Sequence, residues 1–417
     1  MRFSRFALLL LILTTIGGCA HAITPTSYSW DDCRGSAKPY TAPSIITDTP
    51  DTLTPVMINH VGRHGARFPS SAKNAMAVAE LLDRATELRT ITPRGKKLLN
   101  LTEKIIEMST GRWGVLDTLG KAEQQGIAMR MLGQFPSLFR NGRIEAKSSY
   151  VPRCIMSMYE FTHQIARLDN SVEISTTSGH CNDPLLRFFS ISKPYKEFIE
   201  SEEVTSAIAN YADSVMPQRL LASFLGHGFP LEEINTRASL SAIYSVIAST
   251  AAIELPEKPS DYMSLEDWNA LWMAFNLKQY LTHSGNTLST IPAEISRPLL
   301  LDIIATTDSM IAGSDIAPVQ LRFGHAETLM PLLSLMQLPG CSYYSTDLNS
   351  VATNWLDFNI VPMASNLRFV LFRSKKGAYY VRTDFNEQPV ALISSRPDDI
   401  YLPWEEAREY LMFRCAL

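Results

Sequence analysis

The chain has 417 residues, of which 46% are hydrophobic and 19% charged, and the sequence has no low-complexity tract. This length and composition exclude a disordered or fibrous protein and predict either one large α/β domain with an insertion or two domains. The formal net charge of −4 argues against a nucleic-acid-binding protein, so any bound anion must meet a local cluster of positive charge.

The N-terminal residues are typical of an export signal. Arg2 and Arg5 precede an apolar run at residues 6–16, which is too short to span a bilayer, and no later segment is long and apolar enough to do so. Two cleavage sites fit this signal: a lipobox in which Cys19 would be lipidated, and a small-x-small site at residues 20–22. Its removal takes away two arginines and no acid, which changes the formal charge from −4 to −6. We therefore predict an extracytoplasmic protein, which is periplasmic, secreted or anchored to the outer membrane by a lipid.

The first predicted strand leads into a loop that contains two arginines. Residues 55–60 form a short, partly β-branched run that is preceded by turn formers and followed by Gly62. This run predicts a buried strand, and the loop after it lies at the strand's carboxyl end, where open α/β sheets bind ligands. Helical patterns follow at residues 72–89, 94–109 and 119–134.

A second strand is predicted at residues 143–150. Pro152 follows it and predicts the start of a helix that continues to about Leu168. Arg153 therefore lies in the first turn of this helix, again near the carboxyl end of a strand.

The rest of the chain divides into a helical stretch and a second part with strands. Residues 184–298 are helical in pattern, with breaks at proline and glycine positions. Strand signals return at residues 318–323, before a helix that continues to about residue 338, and in a hairpin-like pair at 367–373 and 378–382. A terminal helix is predicted from about residue 403.

These elements predict an α/β core that is interrupted by a helical insertion. After a signal peptide at residues 1–22, residues 23–185 and 299–417 are expected to form the core. Residues 186–298 are expected to form an all-α cap.

Three side chains at the end of the first strand are suited to bind and attack a phosphate. Arg63 and Arg67 supply forked hydrogen-bond donors for a phosphate dianion. The imidazole of His64, when neutral, has a ring nitrogen that can attack phosphorus. Its other ring nitrogen needs a carbonyl partner, for which the backbone of this loop is a source. The loop therefore predicts phosphoryl transfer through a phosphohistidine.

Residues 63–69 match the pattern Arg-His-Gly-x-Arg-x-Pro in full, and here the chain resembles the histidine acid phosphatase branch of the histidine phosphatase superfamily. Most members of that branch carry a His-Asp pair late in the chain. This sequence has His325-Ala326-Glu327, which is similar to the multiple inositol polyphosphate phosphatase subgroup. The resemblance runs from about residue 39 to the C-terminus and is weakest between 200 and 300. Further agreement with the subgroup lies at residues 148–154, 182–189 and 361–367.

This resemblance implies a phosphoglycerate-mutase-like α/β fold, in which a central, mostly parallel sheet is flanked by helices and carries the inserted all-α cap. It also implies that His64 is the nucleophile and Glu327 the proton donor. The phosphate pocket would then consist of Arg63, Arg67, Arg153 and His325.

The chemistry of the leaving group supports a proton donor at Glu327. An alkoxide is a poor leaving group and needs a proton as the P–O bond breaks. Partial burial and clustered phosphates are expected to raise the pKa of Glu327, so that it stays protonated at mildly acidic pH. The alternative is a carboxylate that only stabilises the dipole of the helix that begins here.

Other polar residues have weaker signals. Arg187 and Lys193, at the entrance to the cap, are candidates for contacts with distal phosphates of a substrate, and the alternative for both is solvated surface charge. His60 is predicted to pack at the strand end or to support the site from behind. Tyr159 and His163 are predicted to be structural, and His180 with Cys181 is ambiguous.

Cysteine usage predicts disulfides but no metal. Six cysteines are present, and five remain if Cys19 is removed or acylated. In an oxidising compartment these five suggest up to two disulfides and one free thiol. No pair has the spacing of a zinc site, so we predict no metal and no cofactor. The five are Cys33, Cys154, Cys181, Cys341 and Cys415.

The sequence therefore predicts a phosphomonoester hydrolase that removes phosphates from inositol polyphosphates, phytate foremost. One alternative is a broad-specificity acid phosphatase of the same mechanism that acts on sugar phosphates or bisphosphoglycerate. Two others are a mutase-like phosphotransferase, against which export and the cap argue, and a non-catalytic binding protein, against which His64 and Glu327 argue. The expected partner is a small polyphosphorylated molecule and not a nucleic acid, and a monomer is favoured.

Overall fold

The computed structural model describes residues 28–416, so the predicted export signal and Cys19 lie outside the described residues. Within this range the chain forms eight strands: β1 (Leu53–Arg63), β2 (Arg143–Ser148), β3 (Glu173–Ser178), β4 (Val319–Gly324), β5 (Asn366–Ser374), β6 (Tyr379–Phe385), β7 (Gln388–Val390) and β8 (Tyr401–Pro403).

Helices surround these strands and fill the long segment between β3 and β4. They are α1 (Lys73–Glu87), α2 (Pro93–Ser109), α3 (Thr118–Gln134), α4 (Pro136–Phe139), α5 (Pro152–Leu168), α6 (Asp183–Leu186), α7 (Phe188–Ile191), α8 (Lys193–Ile199), α9 (Glu202–Val215), α10 (Arg219–Leu225), α11 (Thr236–Ala248), α12 (Leu265–His283), α13 (Ile291–Glu294), α14 (Arg297–Ile311), α15 (Ala326–Leu335), α16 (Val351–Asn354), α17 (Asp357–Ile360) and α18 (Trp404–Ala416). Short 3-10 turns occur at Asp32–Ala37, His180–Asn182, Leu231–Glu233, Ala251–Ile253, Pro259–Asp261 and Leu348–Ser350.

The strands form one sheet in the order β3-β2-β4-β1-β5-β6-β7, and β8 pairs with β6. Strands β3, β2, β4 and β1 are parallel to one another, whereas β5 pairs antiparallel with β1 and β6 to β8 continue the sheet in antiparallel fashion. The architecture confirms the predicted α/β fold with a central sheet flanked by helices. The parallel part is the one that carries the predicted phosphate-binding segments.

The register of the parallel strands brings three chain segments to one edge of the sheet. Arg63 at the end of β1 pairs with Gly324 at the end of β4, and Ser148 at the end of β2 pairs with Phe323. The residues that follow these strands are therefore neighbours in space. This is the edge at which open α/β sheets bind ligands.

Alternating side chains of β1 pack on both faces of the sheet. Met57 and Val61 lie in a core cluster with Leu300 of α14 and Leu329 of α15. Ile58 lies on the opposite face, in a second cluster that includes residues of α3 and α5. Because both faces are covered, β1 is buried along its second half and its carboxyl end is held rigidly.

The cap shares a hydrophobic core with helices that precede it in the chain. Leu82 of α1 and Leu98 of α2 belong to the same buried cluster as Phe224 of α10 and Trp268 of α12. The described residues from 186 to 298 contain no strand. The division of the chain into core and cap at residues 186 and 298 stays a prediction.

The cysteines require a correction. All five cysteines in the described range are unpaired, which contradicts the predicted disulfides. Three of them are buried in separate surroundings: Cys33 in the core of α1, α2 and the cap, Cys341 in the core around α14 and α15, and Cys154 beside His325. Spacing along the chain could not reveal this separation.

Among residues 28–416, no helix has both the length and the hydropathy of a membrane crossing.

Candidate active site

The loop after β1 is held by backbone contacts with two other segments. The His64 amide donates to Gly324 O at 3.1 Å, and the Ala364 amide donates to His64 O at 3.0 Å. Gly65 allows α3 to approach closely, because a Cβ at this position would lie 2.3 Å from the carbonyl oxygen of Gly120. The backbone at His64 is therefore fixed between the ends of β4, β5 and α3.

The ring of His64 is oriented by its own loop. Nδ1 lies 2.9 Å from Gly65 O, and the residue is only 2% exposed. A carbonyl can only accept a hydrogen bond, so Nδ1 carries the proton and Nε2 keeps its lone pair. The predicted carbonyl partner is thus present, and the nitrogen available for attack is Nε2.

The surroundings of His64 keep its ring neutral. Burial lowers the pKa of His64 well below its ordinary value, and the positive charges of Arg153, Arg63 and Arg67 lower it further. A neutral imidazole is the form that can act as a nucleophile, so these charges preserve the reactive form in acid.

Arg63 presents one edge of its guanidinium to the site. Nη1 donates to Ser36 O at 2.7 Å and to Val361 O, whereas Nε has no partner among the described residues. Burial lowers the pKa of Arg63 to about 10, and the side chain is 3% exposed. The Nε and Nη2 edge is therefore free to form a forked contact with a phosphate.

Arg67 and Arg153 complete a group of three arginines around His64. Burial and the charges of Arg153 and Arg63 lower the pKa of Arg67 to about 9. Arg153 lies in the first turn of α5, as predicted, and its Nε, like that of Arg67, has no partner in residues 28–416. Three buried or half-buried guanidinium groups without a carboxylate partner form a strong binding site for an oxyanion.

His325 lies opposite His64, with 5.8 Å between the two ring centroids. Arg153 Nη2 lies 3.2 Å from its Nδ1, and Ser149 Oγ lies 3.0 Å from its Nε2. Arginine donors face both ring nitrogens, because Nη1 of Arg187 lies 3.3 Å from Nε2. Burial lowers the pKa of His325 to about 3, so the ring is neutral.

Glu327 lies in the first turn of α15, at the same edge of the sheet. Burial alone would raise its pKa, but the neighbouring His325 and His283, its own amide and Arg63 together lower the pKa to about 2. In the protein without substrate these neighbours outweigh burial, so the rise expected from burial does not occur, and the rise expected from clustered phosphates stays a prediction.

Arg187 lies inside the pocket and not at a distal position. Its Nη1 is 3.3 Å from Nε2 of His325, and its guanidinium lies 4.8 Å from the ring centroid of Tyr150 and 5.2 Å from that of Phe189. These two rings hold the guanidinium against His325. The sequence identified Arg187 as a candidate but placed it at the entrance to the cap.

Two other candidates lie outside the pocket. The side chain of Lys193 is 85% exposed and pairs with Glu197 of the same helix, so it is a surface charge. His60 is buried between Phe161 and Phe323, and burial with the charges of Arg368 and Arg322 lowers its pKa to about 3. His60 therefore packs within the sheet, as predicted.

Two residues next to Arg153 and Arg187 contribute contacts that the sequence did not reveal. The thiol of Cys154 donates to Gly324 O at 3.1 Å and lies 3.5 Å from Nε2 of His325. The ring of Tyr150 contacts both the Arg187 guanidinium and the ring of His180, whose centroid is 4.0 Å away. The position of Tyr150 directly after Ser148-Ser149 was the only available signal.

A cavity of about 260 Å³ opens beside Arg63 and Arg67. It does not reach His64 or Glu327, so it extends the site away from the reacting centre. Polar side chains from the 3-10 turn at Asp32–Ala37, the start of α1 and α11 line it: Arg34, Ser36, Ser70, Ser71, Asn74, Ser245 and Ser249.

Metal-binding side chains do not cluster in the part of the chain that the structure describes: no group of three or more histidine, cysteine, aspartate or glutamate residues could hold an ion there. The site instead presents arginine nitrogens, which neutralise phosphate charge directly.

Comparisons with known proteins find relatives in both sequence and fold. Over 375 residues the chain is 26% identical to multiple inositol polyphosphate phosphatase 1 of Gallus gallus, in an alignment that covers 85% of this chain and 80% of that protein. The fold matches multiple inositol polyphosphate phosphatase of Bifidobacterium longum in complex with inositol hexasulfate, with a TM-score of 0.75, 18% identity and coverage of 91% of this chain and 97% of that one. It also matches the phytase from D. castellii, with a TM-score of 0.71, 18% identity and coverage of 97% and 91%.

The family model for branch 2 of the histidine phosphatase superfamily matches residues 56–386, which include the loop of His64, Arg153 in α5 and the segment from His325 to Glu327. The chain therefore belongs to branch 2 of the histidine phosphatase superfamily.

Proposed function

We propose that this protein is a phosphomonoester hydrolase that removes phosphates from inositol polyphosphates, with phytate as the main substrate class. The observation that carries the proposal is the geometry of His64: Nδ1 is held by Gly65 O, while the unprotonated Nε2 lies within the charges of Arg63, Arg67 and Arg153. An in-line attack on a bound phosphoryl group needs both a neutral nucleophile and positive charge around the phosphoryl oxygens.

In the first step His64 Nε2 attacks phosphorus, so that a P–N bond forms as the P–O bond to the inositol oxygen breaks. The electron pair of the broken bond stays on the leaving oxygen, which takes a proton from Glu327. The arginines stabilise the charge on the phosphoryl oxygens.

In the second step water hydrolyses the phosphohistidine. Glu327, now a carboxylate, accepts a proton from the attacking water, and the P–N bond breaks to return neutral His64 and inorganic phosphate. The low pKa of Glu327 in the protein by itself suits this role of base.

The proton for the first step is supplied when substrate binds. A phosphate monoanion brings its own proton into the site, and its negative charge offsets the guanidinium charge of Arg63, which contributes to the low pKa of Glu327. The proton can then pass to Glu327 within the complex, so the acid forms only with substrate present.

The cavity beside Arg63 and Arg67 supports a substrate with more than one phosphate. It has room for groups beyond the reacting phosphoryl group, and polar side chains, among them the buried Arg34, line part of it. Nη1 of Arg34 is held by Thr250 Oγ1 at 2.9 Å and by backbone carbonyls, so the guanidinium cannot swing away. The name of the Gallus gallus relative describes a phosphatase of inositol polyphosphates, which agrees with such a cavity.

The proposal is tested by trapping the intermediate and identifying the products. Labelled substrate quenched without acid should give phosphohistidine in the wild type, and His64→Ala should retain less than about a thousandth of the activity with an unchanged melting temperature. Ion-exchange chromatography during phytate hydrolysis should show successive lower inositol phosphates. No release from phytate, with rapid release from sugar phosphates or bisphosphoglycerate, would replace the proposed substrate by that of a broad-specificity acid phosphatase.

We further propose that residues 1–22 direct export and that the protein acts outside the cytoplasm as a monomer. The charged and apolar pattern of this segment supports the proposal. Mass spectrometry of the N-terminus of protein from cells distinguishes a lipidated Cys19 from cleavage after Ala22, and an intact N-terminus would contradict export.

A further inference from the structure

Asp357, at the start of α17, is a buried acid that has no part in the proposed chemistry, yet it lies at the junction of three segments near Arg63. Its side chain is fully buried, with 0% exposure. Its Oδ2 accepts the Ser36 amide at 2.9 Å, and its Oδ1 accepts the Trp272 indole N–H at 2.8 Å. The carboxyl therefore joins the N-terminal 3-10 turn to α12 of the cap.

Asp357 also fixes the two residues whose backbone carbonyls accept hydrogen bonds from Arg63. Ser36 O accepts Nη1 of Arg63 at 2.7 Å, and Val361 O accepts the same nitrogen. Val361 is itself fixed by Asp357, since its amide donates to Asp357 O at 2.8 Å. One residue thus holds Ser36 through its side chain and Val361 through its backbone.

These contacts decide which edge of Arg63 faces a phosphate. With Nη1 engaged by two carbonyls, only Nε and Nη2 remain for an oxyanion, and Nε has no partner in the described residues. If Ser36 moved, Nη1 would lose one acceptor and the guanidinium could rotate away from the forked geometry.

The glycine before Ser36 shows how closely the turn fits against Asp357. Gly35 has a φ of +57°, and a Cβ there would lie 2.7 Å from Oδ2 of Asp357. A side chain at this position would therefore push the carboxyl away from the Ser36 amide.

We propose that Asp357 is a positioning residue for phosphoryl transfer: by fixing Ser36 and Val361 it holds the Arg63 guanidinium with its Nε and Nη2 edge toward the reacting phosphate. The inference rests on the proposed function, because it assigns Asp357 a role through the phosphate contact of Arg63.

The test replaces Asp357 by two side chains of similar shape, one that can accept a hydrogen bond from the Ser36 amide and one that cannot. Both replacements are made in a variant that lacks the Trp272 indole, which would otherwise compete for the same side chain. In Trp272→Phe, Asp357→Asn keeps an oxygen for the Ser36 amide, whereas Asp357→Leu has none. The leucine variant should have a kcat/KM for p-nitrophenyl phosphate about tenfold lower than the asparagine variant, since it leaves a buried amide without a partner beside the arginine. Its inhibition constant for inorganic phosphate should rise by a similar factor.

A purely structural role is excluded by repeating the pair with Arg63→Ala. The difference in kcat/KM between the leucine and asparagine variants should then disappear, because there is no guanidinium left to position. Equal kinetics of the two variants with Arg63 present, or the same difference without Arg63, would overturn the proposal.

Gly35→Ala provides a second approach if the leucine variant does not fold. The added methyl group would press on the Asp357 carboxyl from the side of the 3-10 turn and should lower kcat/KM about tenfold. Gly111→Ala is the matched control, since Gly111 also has a positive φ, of +79°, but a Cβ at this position would have no neighbouring atom within 4 Å. Equal activity of both alanine variants would contradict the proposal. Absence of phosphohistidine in the wild type would instead refute the proposed function.

Discussion

The pH dependence of kcat/KM tests where the catalytic proton resides before substrate binds. The pKa of Glu327 is lowered to about 2 in the protein by itself, so at pH 5 only about a thousandth of the free protein carries a proton there. A phosphate monoester has a second pKa of about 6, and at pH 5 it is mainly a monoanion. The proton therefore enters with the substrate.

The difference between these two pKa values sets the size of the effect. The second pKa of the substrate exceeds the pKa of Glu327 by about four pH units. Before binding, a proton on the substrate is therefore favoured over a proton on Glu327 by about 5 kcal/mol. For an alkyl phosphate, whose leaving group needs the proton, we expect kcat/KM to be constant from about pH 4 to the second pKa of the substrate and to fall about tenfold per pH unit above it. His64 contributes no loss of activity in this range, because its pKa is lowered well below its ordinary value and the ring stays neutral.

Two monoesters with different second pKa values provide the assay. p-Nitrophenyl phosphate is more acidic than glycerol 2-phosphate, because an aryl group withdraws electrons from the phosphate. Steady-state kcat/KM measured from about pH 4 to 8 should fall above the second pKa for glycerol 2-phosphate. It should not fall at the second pKa of the aryl ester, whose phenolate leaves without a proton. A fall at one pH for both substrates would show that an enzyme group carries the proton before binding, and the reasoning from the charges around Glu327 would fail.

Variants at three places in the site give independent checks. Glu327→Gln should slow the burst phase about 10²–10⁴-fold with phytate but much less with p-nitrophenyl phosphate, since a phenolate leaves without a proton. Equal losses with the two substrates would show that Glu327 only holds the site together. Ser245→Glu places a carboxylate in the cavity and should lower kcat/KM about tenfold more for phytate than for the aryl ester, because like charges repel there. Ser241→Glu, on an exposed position one turn earlier in α11, is the control, and an equal loss from both would argue against a second phosphate in the cavity. Arg187→Ala should raise KM for phytate and for p-nitrophenyl phosphate about tenfold, whereas Lys193→Ala should change KM less than about twofold. A larger change in KM for Lys193→Ala would show that Lys193 does contact a phosphate of the substrate.

The sequence predicted the elements that carry the reacting groups because their signals are local. The run before Gly62 is buried and β-branched, and the structure has β1 there with a longer extent, Leu53–Arg63. Pro152 marks the start of α5, and this fixes Arg153 in its first turn. Since parallel strands end at one edge of a sheet, the segments after β1, β2 and β4 could be expected to meet.

Strand β3 was not predicted because its pattern is that of an edge strand. Glu173–Ser178 has the sequence EISTTS, and its side chains are exposed or half-buried along its whole length. Without an apolar face the period of two that marks a strand is weak. Pairing with β2 creates this strand, and pairing is a long-range property.

The position of Arg187 and the pKa of Glu327 depend on several segments at once. Arg187 reaches His325 because the short helices α6 and α7 turn the chain back toward the sheet, and the rings of Tyr150 and Phe189 hold it there. The pKa of Glu327 reflects charges from β1, α12 and α15 together. A motif identifies the residue types at such a site but not the sum of the fields that they produce.

The arginines of the pocket explain how an acidic protein can bind a highly charged anion. In residues 28–416 no carboxylate forms an ion pair with Arg63, Arg67, Arg153 or Arg187, and Nε of each lacks a partner there. Buried charges of one sign destabilise a fold, so carbonyls, aromatic rings and a neutral His325 must hold them in place. The same lack of carboxylate partners lets a phosphate meet four guanidinium groups without displacing an acid. The charges of Arg153, Arg63 and Arg67 lower the pKa of His64, and that of Arg63 contributes to the low pKa of Glu327. In the proposed mechanism the nucleophile is therefore neutral, and the proton donor depends on the charge of its substrate.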